Sequence, residues 1–562
     1  MASRHTCHKI EFRKSFGALF LPRKKSAAAA PQPQPAAARQ PVARATSIPP
    51  RLALPVALIF VAIAIARIVS TWHVFATTSD EPAHIACGLE YLASHTYRLE
   101  TQHPPLARAM VALLPYLSGV RPRGKLSFQL EGWDLITYQN HPDLTLTRMR
   151  MGVLPFFVLA CLVTFFWTRR AFGPTAAAIA TALFTLVPTV LAHAGLATTD
   201  MALTACLGLA FLTLLRWAES PTTTRAAAAG VSCALAVLSK FTAIGFLPAA
   251  VVLALLAWYA VARPSTTHLV ELAKERAAGA AVIAATACLA IWAAYFFSWN
   301  HGPAPEFFDG ISVALRHNRN GHPAWLLGQQ SDTGWWYYFP VALAVKTPLA
   351  LLLLFFFGCA LCWKNRARIE WLLPLAFALG ILLPAMQANV NIGVRHVLPV
   401  YIAICILAAL AVEELARKRP VIPALLVLWM AVSGALHHPD YIPYFNELVQ
   451  GPPDQVLVDS DYDWGQDTKR LAVRLRQLGV KELNYGWLDS PDNHFLETYP
   501  GLPHITNVNP LKPVPGWTAI RPTLERIAQY GMQYRYPSVQ PWYDYLTPKE
   551  HVGTIWLYYV AP

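Results

Sequence analysis

The sequence predicts a polytopic α-helical membrane protein with about eleven transmembrane helices and a small C-terminal α/β domain outside the membrane. Three observations carry this. Only 14% of the 562 residues are charged and 55% are hydrophobic, against about 25% charged in an ordinary soluble chain. The apolar residues gather into blocks such as Leu52–Ser70, Met151–Trp167 and Leu349–Leu361, and about 20 such residues let a helix cross about 30 Å of hydrocarbon. After His437 the composition shifts, with Asp, Pro, Tyr and Trp replacing Ala and Leu.

Residues 1–50 come first, basic and then rich in Ala, Pro and Gln. Nothing there can build a core, so a disordered cytoplasmic tail is expected. Residues 51–436 form the membrane domain. Its spans fall at about 52–70, 151–168, 174–192, 196–216, 226–239, 241–262, 278–298, 339–362, 370–388, 397–416 and 420–436. With the tail inside, five connections lie in the cytoplasm. They hold Arg169 and Arg170; Arg216 and Arg225; Arg263, Lys274 and Arg276; Lys364, Arg366 and Arg368; and Arg417, Lys418 and Arg419. Every one is basic, as positive-inside orientation requires. The net charge of +14 is therefore spent on topology, and no nucleic-acid partner is expected.

The opposite, non-cytoplasmic face receives loops 71–150 and 299–338, short turns near His193, Lys240 and Arg395, and residues 437–562. In this last domain Gln455–Asp459, Glu482–Leu488 and Thr554–Val560 read as strands, with helices at Gln466–Leu478 and Leu524–Tyr530. In the second loop Phe307–Leu315 reads as an amphipathic helix. Seven of the nine cysteines lie in apolar blocks and read as small buried hydrophobes; no disulfide framework is expected.

The polar residues of chemical interest sit at block ends on the non-cytoplasmic side. Directly after the first span comes Thr77-Thr-Ser-Asp-Glu-Pro-Ala-His84, followed by Gly88, Tyr91 and His103-Pro-Pro-Leu106. Carboxylates beside hydrocarbon are costly unless solvated, paired or functional. A structural reading competes: Ser79 caps a helix, Pro82 sits in its first turn, and Asp80 and Glu81 face the positive dipole end. Asp200 follows a later block and admits the same choice, with Thr198 and Thr199 beside it. Three cations complete the set: Lys240 at a tight turn, Lys346 about two turns into a span, and Arg395 next to His396. Snorkelling to the interface is the alternative for Lys240.

These motifs resemble the first exterior loop of the GT-C superfamily, in its glycosyltransferase family 39 branch of protein O-mannosyltransferases and aminoarabinose transferases. The resemblance continues through Ala192-His-Ala-Gly-Leu-Ala-Thr-Thr-Asp200, Leu238-Ser-Lys-Phe-Thr242, Gly321-His-Pro-Ala324, Gly334-Trp-Trp-Tyr-Tyr-Phe-Pro340, Lys346-Thr-Pro348 and Asn391-Ile-Gly-Val-Arg-His-Val-Leu-Pro399. It covers roughly 71–400. It implies a GT-C-like membrane domain that transfers a sugar from a polyprenyl (or dolichyl) phosphate or diphosphate to an acceptor hydroxyl or similar nucleophile. By position Asp80 resembles the catalytic acid and is assigned as base, with Glu81 orienting the acceptor or supporting the loop. Asp200, His84 and His103 are assigned to the acceptor or to loop support. Arg395, Lys346, Lys240 and His396 are assigned to the carrier phosphate, since Arg offers paired contacts and Lys a point charge.

The exterior histidines lack tight ligand spacing, so no cofactor is expected, although related oligosaccharyltransferases use a divalent metal. The aromatics Trp299, Phe307, Phe308, Trp325, Trp335, Trp336, Tyr337 and Tyr338 read as an interfacial belt or as a groove for the carrier tail. The run Asp459-Ser-Asp-Tyr-Asp-Trp-Gly-Gln-Asp467 lacks the Gly and terminal Glu of a calcium loop. It reads as a strand-to-helix turn with Trp464 partly buried. Two other functions remain: a transporter or flippase of lipid-linked sugars, which predicts midplane charges and inverted repeats, and a membrane-anchored binding protein. The expected location is the cytoplasmic (inner) membrane, with partners limited to membrane lipids, the carrier-bound sugar and an acceptor that is protein, lipid or glycan.

Overall fold

The computed structural model describes residues 48–138, 141–486, 499–508, 512–527 and 541–562. The disordered tail expected at 1–50 lies, up to residue 47, outside the described residues, as do the ends of the strand expected to reach Leu488 and the helix expected to reach Tyr530.

Each apolar block is helical. In order the helices are α1 Ala53–Thr71, α2 Glu81–Ser94, α3 Pro105–Leu117, α4 Phe128–Thr137, α5 Pro142–Met151, α6 Leu154–Phe172, α7 Pro174–Leu186, α8 Pro188–Ala194, α9 Asp200–Glu219, α10 Thr223–Ser239, α11 Ala243–Ala262, α12 Thr266–Ala294, α13 Pro305–Asn320, α14 Tyr338–Lys346, α15 Leu349–Lys364, α16 Ile369–Ala385, α17 Val400–Lys418, α18 Val421–Leu436 and α19 Thr468–Gln477. Proline opens many of them (Pro82, Pro105, Pro142, Pro174, Pro188, Pro305), because the first helical position needs no N–H donor and favours the fixed φ of proline.

Among the described residues, five helices are long and apolar enough to cross a membrane, or up to seven if each of two bent pairs counts as one span. Those pairs correct two spans read as continuous. The block 174–192 breaks by 70° between α7 and α8, and 339–362 breaks by 118° between α14 and α15. Pro188 and Pro348 mark the breaks: proline disfavours helix at the residue before it and supplies no amide donor. Helix α17 is buried along most of its length at the centre of the bundle. Helix α12 has no buried residue, which suits an apolar helix facing lipid chains.

Loop 71–150 folds into α2–α5 at one end of the bundle. Gly132 of α4 lets that helix lie against the start of α2, since a Cβ there would stand 1.8 Å from the Pro82 carbonyl oxygen. At the other end Arg169, Arg170, Lys364, Arg368 and Arg417 line one cavity of about 730 Å³, so several basic connections do share an end. The amphipathic helix expected in the second loop is α13, with Phe307 packed against Phe241 and Tyr295. Trp299, Phe308 and Trp336 are exposed, as a belt requires. The short strands β1 Ala324–Leu326 and β2 Gln329–Ser331 follow α13 as an antiparallel pair.

The C-terminal sheet has the order β4-β3-β5-β7-β6, from β3 Glu482–Gly486, β4 His504–Val508, β5 Gly516–Ile520, β6 Glu550–Val552 and β7 Ile555–Val560. Strands β4, β3 and β5 are parallel, and β7 runs antiparallel to β5 and β6. Leu471 and Leu475 of α19 pack on this sheet with Leu483, Ala519 and Leu557. The strand expected at Gln455–Asp459 is absent; 3-10 turns occupy Pro453–Gln455 and Asp459–Asp461. Pro452 and Pro453 withhold amide donors there, and Asp459 is left-handed at φ +58°. This segment is a strap: Tyr441, Ile442, Phe445, Leu457 and Trp464 join the hydrophobic core of the membrane helices, not that of the sheet.

Candidate active site

After α1 the chain runs through Thr77–Ser79 to the start of α2. Two main-chain bonds fasten it to the strap: Ala76 N–H donates to Gln466 O (2.9 Å) and Ser79 N–H to Trp464 O (3.1 Å). Asp80, not Ser79, takes the N-cap position, and its side chain makes no capping bond. The carboxylate turns instead to Arg395, whose Nη1 donates to Asp80 Oδ2 at 2.6 Å. The cap expected at Ser79 is therefore not formed, and Asp80 holds the position at the helix start.

Arg395 belongs to a 3-10 turn, Val394–Val397, between α16 and α17. Gly393 precedes it at φ +145°, and a Cβ there would lie 2.1 Å from Ser460 Oγ, so the strap can close on this turn only over a glycine. Arg395 Nη1 also stands 3.8 Å from Asp200 Oδ2. Asp200, the first residue of α9, accepts Lys240 Nζ at 2.6 Å. Lys240 therefore does not snorkel; it is buried in an ion pair. Neither Thr198 nor Thr199 caps α9. The resulting chain, Asp80–Arg395–Asp200–Lys240, balances two carboxylates with two cations.

Its members differ in access. The Asp80 side chain is 36% exposed, against 0% for Asp200, 7% for Arg395 and 8% for Lys240. Burial works to raise the Asp80 carboxyl, but Arg395 and then His84 outweigh it and hold the group below its usual range. Burial opposes the charge on Arg395, yet Asp80 and Asp200 over-compensate and its pKa is raised. Among the described residues, Arg395 Nε and Asp200 Oδ2 are buried without a hydrogen-bond partner, so the set keeps unused polar capacity.

Glu81 is fully enclosed. Its Oε1 and Oε2 accept Nε and Nη2 of Arg150, each at 2.8 Å, while Thr78 N–H (2.8 Å) and Ala197 N–H (2.9 Å) donate to the same carboxylate. Burial alone would raise this carboxyl; Arg150 and the two amides hold it below the ordinary value. It ties the Asp80 loop to the turn before α9. His84 lies one turn on, its Nδ1 accepting Arg108 Nε at 3.1 Å, and burial followed by Arg108 and His103 keeps it neutral well below its usual pKa. His103 stacks edge-on to it, with centroids 5.6 Å apart. Burial lowers its pKa too, partly offset by its bond to Glu100. Arg108 joins this pair to Glu100 and Tyr97.

Among the described residues Lys346 makes no ion pair with the Asp80 chain. Its Nζ donates to the carbonyls of Ile442 (2.7 Å) and Asp461 (2.6 Å) and lies 4.2 Å from the Phe445 ring centroid. His396 follows Arg395 with Nε2 unpartnered, and burial, Lys240 and Arg395 hold its pKa well below the usual range. Sequence reasoning passed over Arg150, Glu100 and Arg108, and it read the Asp459–Asp467 run as an outer turn. The run instead lies against the Arg395 turn, with Trp464 only 4% exposed. Among the described residues no group of three or more His, Cys, Asp or Glu is arranged to hold a metal ion.

Residues 57–300 match the family model described as dolichyl-phosphate-mannose-protein mannosyltransferase. The fold is similar to that of ArnT from Cupriavidus metallidurans bound to undecaprenyl phosphate, with a TM-score of 0.50 and 15% identity over 89% of this chain and 97% of that one. The apo state of the same protein gives 0.50 and 16% over 90% and 98%. A looser likeness, TM-score 0.42 and 16% identity over 80% of this chain and 60% of the other, is to the Archaeoglobus fulgidus oligosaccharyltransferase. No curated protein matches the chain. The chain therefore shares the fold of ArnT over most of both chains, and its residues 57–300 resemble the mannosyltransferase family model.

Proposed function

We propose that this chain transfers a sugar from a polyprenyl-phosphate or diphosphate carrier to an acceptor hydroxyl at the non-cytoplasmic face of the membrane, with Asp80 as base. One observation carries the reading: Asp80 is the accessible acid of an otherwise buried ion chain, and a buried arginine with a spare Nε stands directly behind it. An incoming phosphate competes with Asp80 for Arg395. As the guanidinium turns to the phosphate oxygens, the Asp80 carboxylate is released to accept a proton. The acceptor oxygen then forms its bond to the anomeric carbon, the carbon–oxygen bond to phosphate breaks, the electron pair leaves with the phosphate, and the proton goes to Asp80. Arg395, with Lys240 neutralising Asp200 behind it, stabilises the developing phosphate charge.

In this reading Glu81 and Arg150 support the loop, and His84 and His103, kept neutral, are hydrogen-bonding groups on the acceptor side. Lys346 positions the strap, since both its strong bonds go to main-chain carbonyls. A transporter is disfavoured because these charges gather at one end of the bundle. The test compares wild type with Asp80→Asn against a panel of polyprenyl-phosphate sugars. Loss of a general base typically costs about 10²–10⁴ in rate, with an unchanged melting temperature; transfer by Asp80→Asn at the wild-type rate overturns the assignment.

A further inference from the structure

The segment after the last apolar helix contributes a side chain to the centre of the site. Trp464 lies with its ring 4.1 Å from the Arg395 guanidinium carbon, measured to the centroid. Its carbonyl oxygen accepts the Ser79 N–H, the residue before Asp80. One residue thus touches both the cation and the loop that carries the carboxylate. His193 closes the same ring edge-on, with centroids 6.3 Å apart.

The strap around Trp464 is clamped from both sides. Towards the membrane helices, the Asp461 carboxylate accepts Val394 N–H at 3.1 and 3.2 Å, and Ser460 Oγ donates to Ile392 O at 2.5 Å. Towards the sheet domain, Asp459 N–H donates to Thr523 Oγ1 (2.9 Å), which donates to Asp463 O (2.7 Å), and Arg521 pairs with Asp463 at 3.0 Å. A guanidinium stacked on an indole face loses freedom without losing donors, because the attraction uses the flat face and leaves the in-plane N–H groups free. That suits a cation which must exchange a carboxylate for a phosphate without leaving its place.

We infer that Trp464 is a positioning residue of the transfer reaction, holding the Arg395 guanidinium in the plane from which it meets the carrier phosphate while its carbonyl fixes the Asp80 loop. The inference rests on the assignment of Arg395 to the phosphate. Its geometry also makes the C-terminal segment part of the reacting site.

The test measures binding of undecaprenyl phosphate to the full-length protein in nanodiscs, for wild type, Trp464→Phe, Trp464→Leu and Arg395→Leu, and for each Trp464 variant combined with Arg395→Leu. The carrier's tail keeps residual binding measurable in the Arg395→Leu background. Trp464→Leu is expected to weaken binding on the order of tenfold, and Trp464→Phe, which keeps a ring face, by about threefold or less. In the Arg395→Leu background neither change costs anything further, because the residue through which Trp464 acts is gone. Wild-type binding by Trp464→Leu, or the same loss with and without Arg395, overturns the inference while leaving the phosphate site standing. If Trp464→Leu does not fold, the Phe pair decides by the same comparison. A wild type that binds no polyprenyl phosphate removes the phosphate assignment itself, and Trp464 with it.

Discussion

Arg150→Leu is the sharpest test of how the Asp80 loop is held. Arg150 is 1% exposed and Glu81 0%, and three guanidinium bonds are lost together: two to Glu81 and one to Ala76 O at 2.7 Å. What remains is a buried carboxylate with the amides of Thr78 and Ala197 and the hydroxyls of Thr77 and Thr78. Breaking one side of a buried pair costs about 3–5 kcal/mol, most of it from the stranded charge. Adding Glu81→Gln removes that charge and leaves an amide oxygen for one of the two N–H groups, which donate to different oxygens, so the double variant should regain part of the loss. The assay is thermal unfolding of detergent-solubilised protein for the wild type, both single variants and the double variant. Arg150→Leu melting with the wild type, or a double variant less stable than Arg150→Leu alone, would refute the reasoning.

Gly393→Ala places a methyl 2.1 Å from Ser460 Oγ at a φ of +145°. It should lift the strap and cut transfer at least tenfold, with partial recovery in Gly393→Ala/Ser460→Ala; no recovery would mean that backbone strain alone decides. Asp467 is buried and its carboxyl is pushed up to about 6, partly offset by bonds from Thr554. Its folded pKa exceeds the unfolded value of about 3.9, so its contribution to stability is present below pH 4 and lost as pH rises through 6. Up to about 2–3 kcal/mol should disappear across that window, and Asp467→Asn should flatten the melting profile there; an unchanged slope counts against it. A cysteine at exposed Leu546 should react with an impermeant thiol reagent in intact cells, and protection would contradict the proposed orientation.

The membrane fold was legible because span-length apolar blocks and basic connections are direct consequences of the lipid solvent. The two bends were not, since hydropathy runs straight through Val187–Pro188 and Thr347–Pro348; only the prolines signalled them. The meeting of Asp80, Asp200, Lys240 and Arg395 could be anticipated because each ends an apolar block on one side. The partners of Lys346 were not legible for a physical reason: they are the carbonyls of Ile442 and Asp461, and main-chain acceptors leave no mark in a sequence. Arg150 and Arg108 were missed because their carboxylates lie 69 and 8 residues away, on separate elements of one folded loop. The Asp459–Asp467 run was visible but assigned to the wrong neighbours. Its prolines and left-handed Asp459 prevent a strand, and only tertiary packing places it on the Arg395 turn.

The strap also fixes an order of events during biosynthesis. Asp80 emerges from the ribosome before its guanidinium partner, which follows more than three hundred residues later, and the indole that backs that partner follows later still. A nascent chain halted after its last apolar helix can thread the bilayer and yet lack the ring behind Arg395. The complete site therefore assembles only once Trp464 has been made, after the hydrophobic segments have been inserted.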